Sequence, residues 1–197
     1  MLKNDIWILE QAKRGMITPF ESELVRRIEF AGSEIPALSY GLSSYGYDIR
    51  LSPKEFFIFR HIPGTVINPK AFNPKNLEKV ELQPDEYGEF FIIPANSYGL
   101  GVSVERIQMP PDVTAICLGK STYARAGLIV NTTPLESDWK GFITLEFSNS
   151  SSTDCRIYAN EGVLQALFFV GEPCRTTYAA RQGKYQGQEE QVTLPRV

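Results

Sequence analysis

Apolar residues recur along this chain in short runs broken by Pro, Gly, Asn and Asp, and that pattern predicts a mainly β protein. The clearest runs are Glu89–Ile93, Ser97–Val104, Val113–Leu118, Gly127–Val130, Phe142–Phe147, Arg156–Tyr158 and Val163–Val170. Pro94, Pro110-Pro111-Asp112, Pro134, Lys140-Gly141, Ser148–Asp154 and Asn160-Glu161-Gly162 punctuate them. β-branched and aromatic residues suit a pleated, half-buried surface, whereas these breakers suit turns. Many short strands at near-regular spacing predict a sandwich, jelly roll or barrel. Upstream, Tyr47–Leu51 and Glu55–Phe59 read as two strands with a break at Ser52-Pro53-Lys54. Glu21–Ala31 reads as a short strand or irregular chain, and residues 62–78, with several Pro and Asn, as a loop. One helix is expected from Asn4 to Gly15, capped by Asn4 or Asp5 and ended by Gly15, although its apolar positions fit a helical face only loosely. There is no internal repeat and no second apolar core, so residues 1–197 read as one domain. From about Gln182 the chain turns polar and rich in Gly and Gln, which predicts a mobile C-terminal arm.

Composition narrows the function classes. Hydrophobic residues make up 43% and charged residues 22%, ordinary globular values. A net charge of −3 argues against a general nucleic-acid binder, so any bound phosphate must be held by a local site. No apolar run approaches the ~20 residues of a membrane span, and the first residues lack a signal-peptide core. The expected setting is therefore cytoplasmic. Three widely spaced cysteines, Cys117, Cys155 and Cys174, do not form a disulfide framework, and Cys117 reads as a small buried hydrophobe. The single histidine, His61, lies in no metal-ligand pattern and reads as an ordinary loop residue. A zinc deaminase needs H-x-E and P-C-x-x-C, and neither occurs.

Three segments carry candidate chemistry. In Gly119-Lys120-Ser121-Thr122-Tyr123-Ala124-Arg125-Ala126-Gly127, a helix beginning after Gly119 places Ser121 and Arg125 four residues apart on one face. With the free N–H groups of the first turn they would form an anion site, to which Lys120 adds charge; the alternative is a capped surface helix with an incidental arginine. In Trp139–Asn149, alternation puts Phe142, Thr144 and Glu146 on one face and Ile143, Leu145 and Phe147 in the core. Glu146 is then either solvated on an outer face or set in a pocket, where partial burial would raise its pKa toward the range useful for proton transfer. The third segment, Gly183-Lys184-Tyr185-Gln186-Gly187-Gln188, is either a disordered end or a flap that closes over a phosphate ester.

Taken together, Lys120–Arg125, the strand Thr144-Leu145-Glu146-Phe147-Ser148-Asn149 and the tail Lys184–Gln188 resemble the dCTP deaminases of the dUTPase-like superfamily. Ser44-Tyr45-Gly46-Tyr47-Asp48-Ile49-Arg50 resembles that family's first strand motif, and Asn131–Glu136 one of its subgroups. The resemblance runs through essentially the whole chain in order. It implies a distorted jelly-roll/β-clip subunit with short helices, assembled as a homotrimer with active sites shared between subunits. It implies dCTP as substrate, dUTP and ammonia as products, dTTP as an inhibitor, and Mg²⁺ carried on the triphosphate, with no metal bound by protein side chains and no zinc. By position, Lys120, Ser121, Thr122 and Arg125 would hold the triphosphate, contributed by a neighbouring subunit. Glu146 would be the catalytic acid/base, Thr144 and Leu145 would lie against the base through their backbone, Gln165 and Tyr178 would contact the nucleotide, and Lys184 and Gln188 would close from the tail. Arg125 and backbone groups near Asn131–Thr133 would hold the attacking water. Better-known members have a longer hairpin between Val130 and Trp139, with a His where Asn131 stands and an Asp on the sugar; Glu136 or Asp138 would replace that Asp here.

The nearest rival is a bifunctional dCTP deaminase/dUTP diphosphatase, or a dUTPase, in which Asp138 activates water for attack on a phosphate. Glu146 and the Lys184–Gln188 tail favour the deaminase. A nucleotide sensor without turnover would keep the phosphate motif and lack the acid, but Glu146 is present.

Overall fold

The computed structural model describes residues 1–197. Asn4 has an extended backbone, and its side-chain oxygen accepts a hydrogen bond from the Trp7 N–H (3.2 Å), which starts helix α1 (Asp5–Ala12). The helix ends ahead of Gly15, whose φ of +89° a side chain resists. Only Ile8 of α1 is buried, which explains the loose apolar periodicity.

Strands make up the rest of the regular structure, apart from one short helix. In chain order these elements are β1 (Ile17–Thr18), β2 (Leu24–Phe30), β3 (Ser33–Ser43), β4 (Gly46–Phe59), β5 (Leu77–Lys79), β6 (Gln83–Asp85), β7 (Gly88–Ile93), β8 (Tyr98–Gln108), β9 (Val113–Gly119), α2 (Ser121–Arg125), β10 (Leu128–Asn131), β11 (Lys140–Asn149), β12 (Cys155–Tyr158) and β13 (Gly162–Val170). A single 3-10 turn, Pro74–Asn76, leads into β5. Glu21–Ala31 resolves as β2, which forms a hairpin with β3 through Ala31 and Gly32, both at positive φ, as a two-residue primed turn requires. The sequence pattern misses β3 because its half-buried positions are broken by exposed Glu34 and Pro36 and include polar Ser39.

Ser52-Pro53-Lys54 does not separate two strands as expected. β4 is continuous and absorbs the interruption as a bulge. Leu51 faces Ser103 and Phe56 faces Gly101, so Ser52–Glu55 oppose only Val102. A bulge leaves residues outside the ladder, so Pro53 costs no pairing there. The bulge also lets β4 serve two layers. Its first part pairs with β3 and β13, which continues to β9, and its second part pairs with β8 and β5. The main path is β10-β11-β8-β4-β13-β9, with a separate three-stranded sheet β12-β7-β6. The architecture is mainly β, as the sequence pattern predicts.

The core sits where these layers meet. Phe56 of β4 stacks on Phe91 of β7 (centroids 5.3 Å) and tilts against Phe147 of β11 (5.2 Å), and all three are buried. Close to the point where β4 changes layers, Arg50 donates from Nε to Glu105 Oε1 (2.7 Å), and its backbone N–H donates to Glu105 Oε2 (2.9 Å). Burial pushes the Glu105 carboxyl above its usual range, against the pull of the Arg50 charge. No helix is long and apolar enough to cross a membrane.

Phe56 has room only because β8 carries glycines opposite it. A Cβ on Gly99 would lie 2.7 Å from two Phe56 ring atoms and 3.1 Å from the Phe57 carbonyl. Gly99→Ala therefore forces the core apart and is expected to destabilise by about 1–3 kcal/mol. Urea unfolding of the two proteins measures the difference, and an unchanged midpoint would show that the ring can shift freely.

Candidate active site

β11 is the wall of the site. Its alternation buries Ile143, Leu145 and Phe147 and leaves Phe142, Thr144 and Glu146 half-buried on the opposite face. Pairing on both edges fixes its register: Glu146 lies opposite Leu100 of β8 and Asn131 of β10. Asn131 Nδ2 donates to Glu146 Oε2 (2.8 Å), and the Tyr98 hydroxyl reaches the same oxygen at 3.4 Å. Burial, followed by the neighbouring Glu146 charge, pushes the Tyr98 hydroxyl up to about 12, so it remains a donor.

In front of this face lies a cavity of about 550 Å³. Tyr98, Thr144 and Glu146 form one side, and Thr132–Glu136 with Trp139 form the hairpin side. The carbonyl of Leu135 accepts from the Ala115 N–H and the Thr114 hydroxyl (both 2.9 Å), which pins the hairpin to β9. Tyr178, Lys184, Tyr185, Gln188 and Thr193 complete the enclosure.

The C-terminal segment is laid along β11. Gly187 N–H donates to the Lys140 carbonyl (2.8 Å), and Phe142 N–H donates to the Gln188 carbonyl (3.0 Å). Trp139 Nε1 donates to the Tyr185 carbonyl (2.8 Å), Tyr185 N–H to the Tyr178 hydroxyl (3.0 Å), and the Thr144 hydroxyl to Gln188 Oε1 (3.3 Å). Gly141 makes this approach possible, since at its φ of +146° a Cβ would lie 2.7 Å from Gln188 N. Lys184 Nζ donates to the Arg196 carbonyl (2.6 Å).

The other candidates lie elsewhere. α2 is a single turn, and Ser121, Thr122 and Arg125 are exposed on it, while the Tyr123 hydroxyl accepts from the Tyr158 N–H (2.9 Å) and anchors the turn. Lys120 adds no free charge to that turn: its Nζ points inward to an ion pair with Asp48 and donates to Ser39 Oγ (3.0 Å). Gln165 Nε2 donates to Asp48 Oδ1 (2.9 Å) and Ser43 Oγ (3.0 Å), joining the same network. None of Lys120, Ser121, Thr122, Arg125 or Gln165 lines the Glu146 cavity. The chain thus presents two separate groups: a carboxylate cavity closed by the tail, and an exposed Ser/Thr/Arg turn backed by Asp48, Lys120 and Gln165.

In the hairpin, Asp138 accepts from the Thr177 hydroxyl (3.1 Å) and does not line the cavity, whereas Glu136 does and pairs with Arg181 (2.6 Å). Sequence reasoning missed Tyr98 and the Asn131 side chain. Tyr98 lies beyond any motif spacing, and Asn131 needed the β10–β11 register to be seen. A second cavity, of about 490 Å³, lies beside the β2–β3 hairpin and takes in Arg50 of the first strand motif but none of the candidate site residues. Burial pushes its Glu161 up to about 7, and the Leu38 N–H donates to that carboxylate (2.5 Å). His61 is exposed in the loop after β4, Cys117 is buried, and no three His, Cys, Asp or Glu side chains converge to hold a metal.

The fold is a mainly β architecture of the dUTPase-like kind, with a carboxylate on the wall of its cavity. The structure superposes on the crystal structure of 2′-deoxycytidine 5′-triphosphate deaminase from Agrobacterium tumefaciens with a TM-score of 0.59, at 15% identity, over 86% of this chain and 48% of that one. This chain therefore matches about half of that solved chain, a likeness of fold. Residues 3–171 match the family described as dCTP deaminase-like. Proteins named dCTP deaminase from Acidobacterium capsulatum (46% identical; 100% of this chain, 99% of that one), Campylobacter curvus (50%; 100% and 98%) and Dechloromonas aromatica (50%; 100% and 99%) match from end to end. The chain belongs to the dCTP deaminase-like family.

The Asp48–Lys120 pair is buried on both sides (5% and 13% side-chain exposure). Removing either partner strands the other, so Asp48→Asn and Lys120→Gln are each expected to cost about 2–4 kcal/mol, with the double variant costing clearly less than the sum. Denaturant unfolding of all four proteins closes the cycle; additive losses would mean that the two side chains do not depend on each other.

Proposed function

We propose that this chain hydrolyses dCTP to dUTP and ammonia, with Glu146 as the group that moves protons. The observation that carries this reading is the placement of Glu146: a half-buried carboxylate at mid-strand on the wall of a 550 Å³ cavity that the tail encloses. Relatives about half identical from end to end share the name dCTP deaminase, which favours deamination over the diphosphatase alternative. Asp138, the residue that alternative needs, is held by Thr177 away from the cavity.

In this reading the cytosine ring enters beside Thr144 and Glu146. Glu146, as carboxylate, takes a proton from water while the water oxygen bonds to C4. The electron pair of the C4–N3 double bond moves to N3, which accepts that proton. Glu146 then takes the proton of the new C4 hydroxyl and passes it to the amino group. The C4–N bond breaks, ammonia leaves, and the C4 carbonyl forms. Such a positioned acid/base contributes roughly 10²–10⁴-fold.

The exposed Ser121, Thr122 and Arg125 are a phosphate-binding group without a base pocket, and the Glu146 cavity is a base pocket without a phosphate-binding group. A homotrimer in which α2 of one copy faces the cavity of the next would complete both. Mg²⁺ would travel on the triphosphate oxygens. Lys184 and Gln188 would close as a mobile arm, dTTP would compete for the same site as an inhibitor, and the setting would be cytoplasmic.

Purified protein incubated with dCTP and Mg²⁺ is expected to accumulate dUTP, with Glu146→Gln lowering the rate by at least about 10²-fold. Chromatographic separation of dCTP, dUTP and dUMP reads the result. Accumulation of dUMP instead would establish the bifunctional reading, with Glu136, the hairpin acid at the cavity, as the next residue to change.

Mixed assemblies test the shared site. Glu146→Gln and Arg125→Ala protein, each inactive alone, are expected to regain up to about a quarter of wild-type activity after dissociation and joint reassembly, since about that share of sites pairs two intact halves. No recovery from a fully mixed assembly would place both halves on one chain.

A further inference from the structure

We infer that Asn131 and Tyr98 are positioning residues for the deamination. Both bind one oxygen of Glu146, Oε2, and leave Oε1 as the oxygen that carries the proton. The inference rests on the role proposed above for Glu146.

The geometry follows from strand pairing. Asn131 and Glu146 are direct cross-strand partners on β10 and β11, so their side chains rise side by side on the same face. The Asn131 amide donates to Oε2 at 2.8 Å, and the Tyr98 hydroxyl lies 3.4 Å from the same oxygen. Tyr98 is held in place by an edge-to-face contact with Phe59 (5.5 Å). No protein donor reaches Oε1.

A carboxylate with both oxygens free can rotate and present either one. Two donors on Oε2 remove that freedom, and an amide cannot titrate, so the restraint persists through every protonation step. When Glu146 receives that proton, Oε1 is the oxygen able to hold it, and both bonds to Oε2 survive. The acid therefore stays aimed at C4 and N3 through the whole cycle, which is the condition for reusing one group in successive transfers. The other titratable groups facing this cavity are Glu136, tied to Arg181, Lys184, tied to the Arg196 carbonyl, and Tyr178 and Tyr185. None of these makes a hydrogen bond to Glu146.

The test is the pH dependence of dCTP turnover in four variants of the full-length protein. Asn131→Ala is expected to lower kcat about 10-fold or more while KM for dCTP stays within about threefold, as for an interaction that matters after binding. Asn131→Asp puts a second carboxylate beside Glu146, and the acidic limb of kcat/KM is expected to move at least about one unit higher, because two adjacent carboxylates resist ionising together. Asn131→His returns a ring N–H donor and is expected to recover part of the kcat lost in Asn131→Ala. Tyr98→Phe keeps the ring packing and is expected to lower kcat by about 2- to 10-fold. The inference is overturned if Asn131→Ala and Tyr98→Phe keep wild-type kcat, or if Asn131→Asp leaves the acidic limb unmoved. It is also overturned if all three Asn131 variants lose activity equally and melt early, which is the behaviour of a merely structural residue. Glu146→Gln separates the two levels. If it stays active, the role of Glu146 itself fails; if it is dead while the Asn131 and Tyr98 variants behave as wild type, only this inference fails.

Discussion

The two-residue period of β11 is the constraint on which fold and site both depend. The strand is held on each edge, by β10 and by β8, so its register cannot slip without turning every side chain to the other face. Ile143, Leu145 and Phe147 enter the core, and Phe147 meets Phe56 and through it Phe91 of the second sheet. The same alternation sets Thr144 and Glu146 toward the cavity. Core packing thus aims the carboxylate, and the buried side chain of Leu145 keeps Glu146 in place.

The bulge in β4 plays the corresponding part for the second group of residues. It lets one strand leave a layer shared with β13 and β9 and enter another shared with β8 and β5. Asp48 lies before the bulge and joins Lys120 and Gln165, while Phe56 lies after it and packs behind β11. Arg50 and Glu105 form a buried ion pair near the transition. A buried pair of this kind contributes little net stability, but breaking it is costly, and that favours a single arrangement of the two layers.

The C-terminal segment shows how a polar sequence becomes ordered without a core of its own. Few of its side chains are apolar, but its backbone finds partners on Lys140 and Phe142, and Trp139 and Tyr178 hold Tyr185. Most of those partners lie on β11 and the hairpin beside it, so the tail forms part of the cavity wall. Its ties to the rest of the chain are chiefly hydrogen bonds near the surface.

The sequence by itself determined the mainly β architecture, most strand positions, the capped first helix and the outward face of Glu146. Each depends on local periodicity, capping or turn chemistry, which neighbouring residues settle. Family membership was legible for the same reason, since Lys120–Arg125, Thr144–Asn149 and Lys184–Gln188 are contiguous motifs. What pairs with what was decided only in three dimensions. Pro53 reads as a break, but β4 runs through it because β8 has one residue where β4 has four. Lys120 adjoins Ser121 and Arg125 in sequence, and only the fold shows that its ammonium pairs with Asp48, far away along the chain. Asn131 and Tyr98 carry no signal until register brings both to one oxygen of Glu146. Long-range pairing depends on the energy of desolvating and matching groups far apart in sequence, and no local window contains both partners.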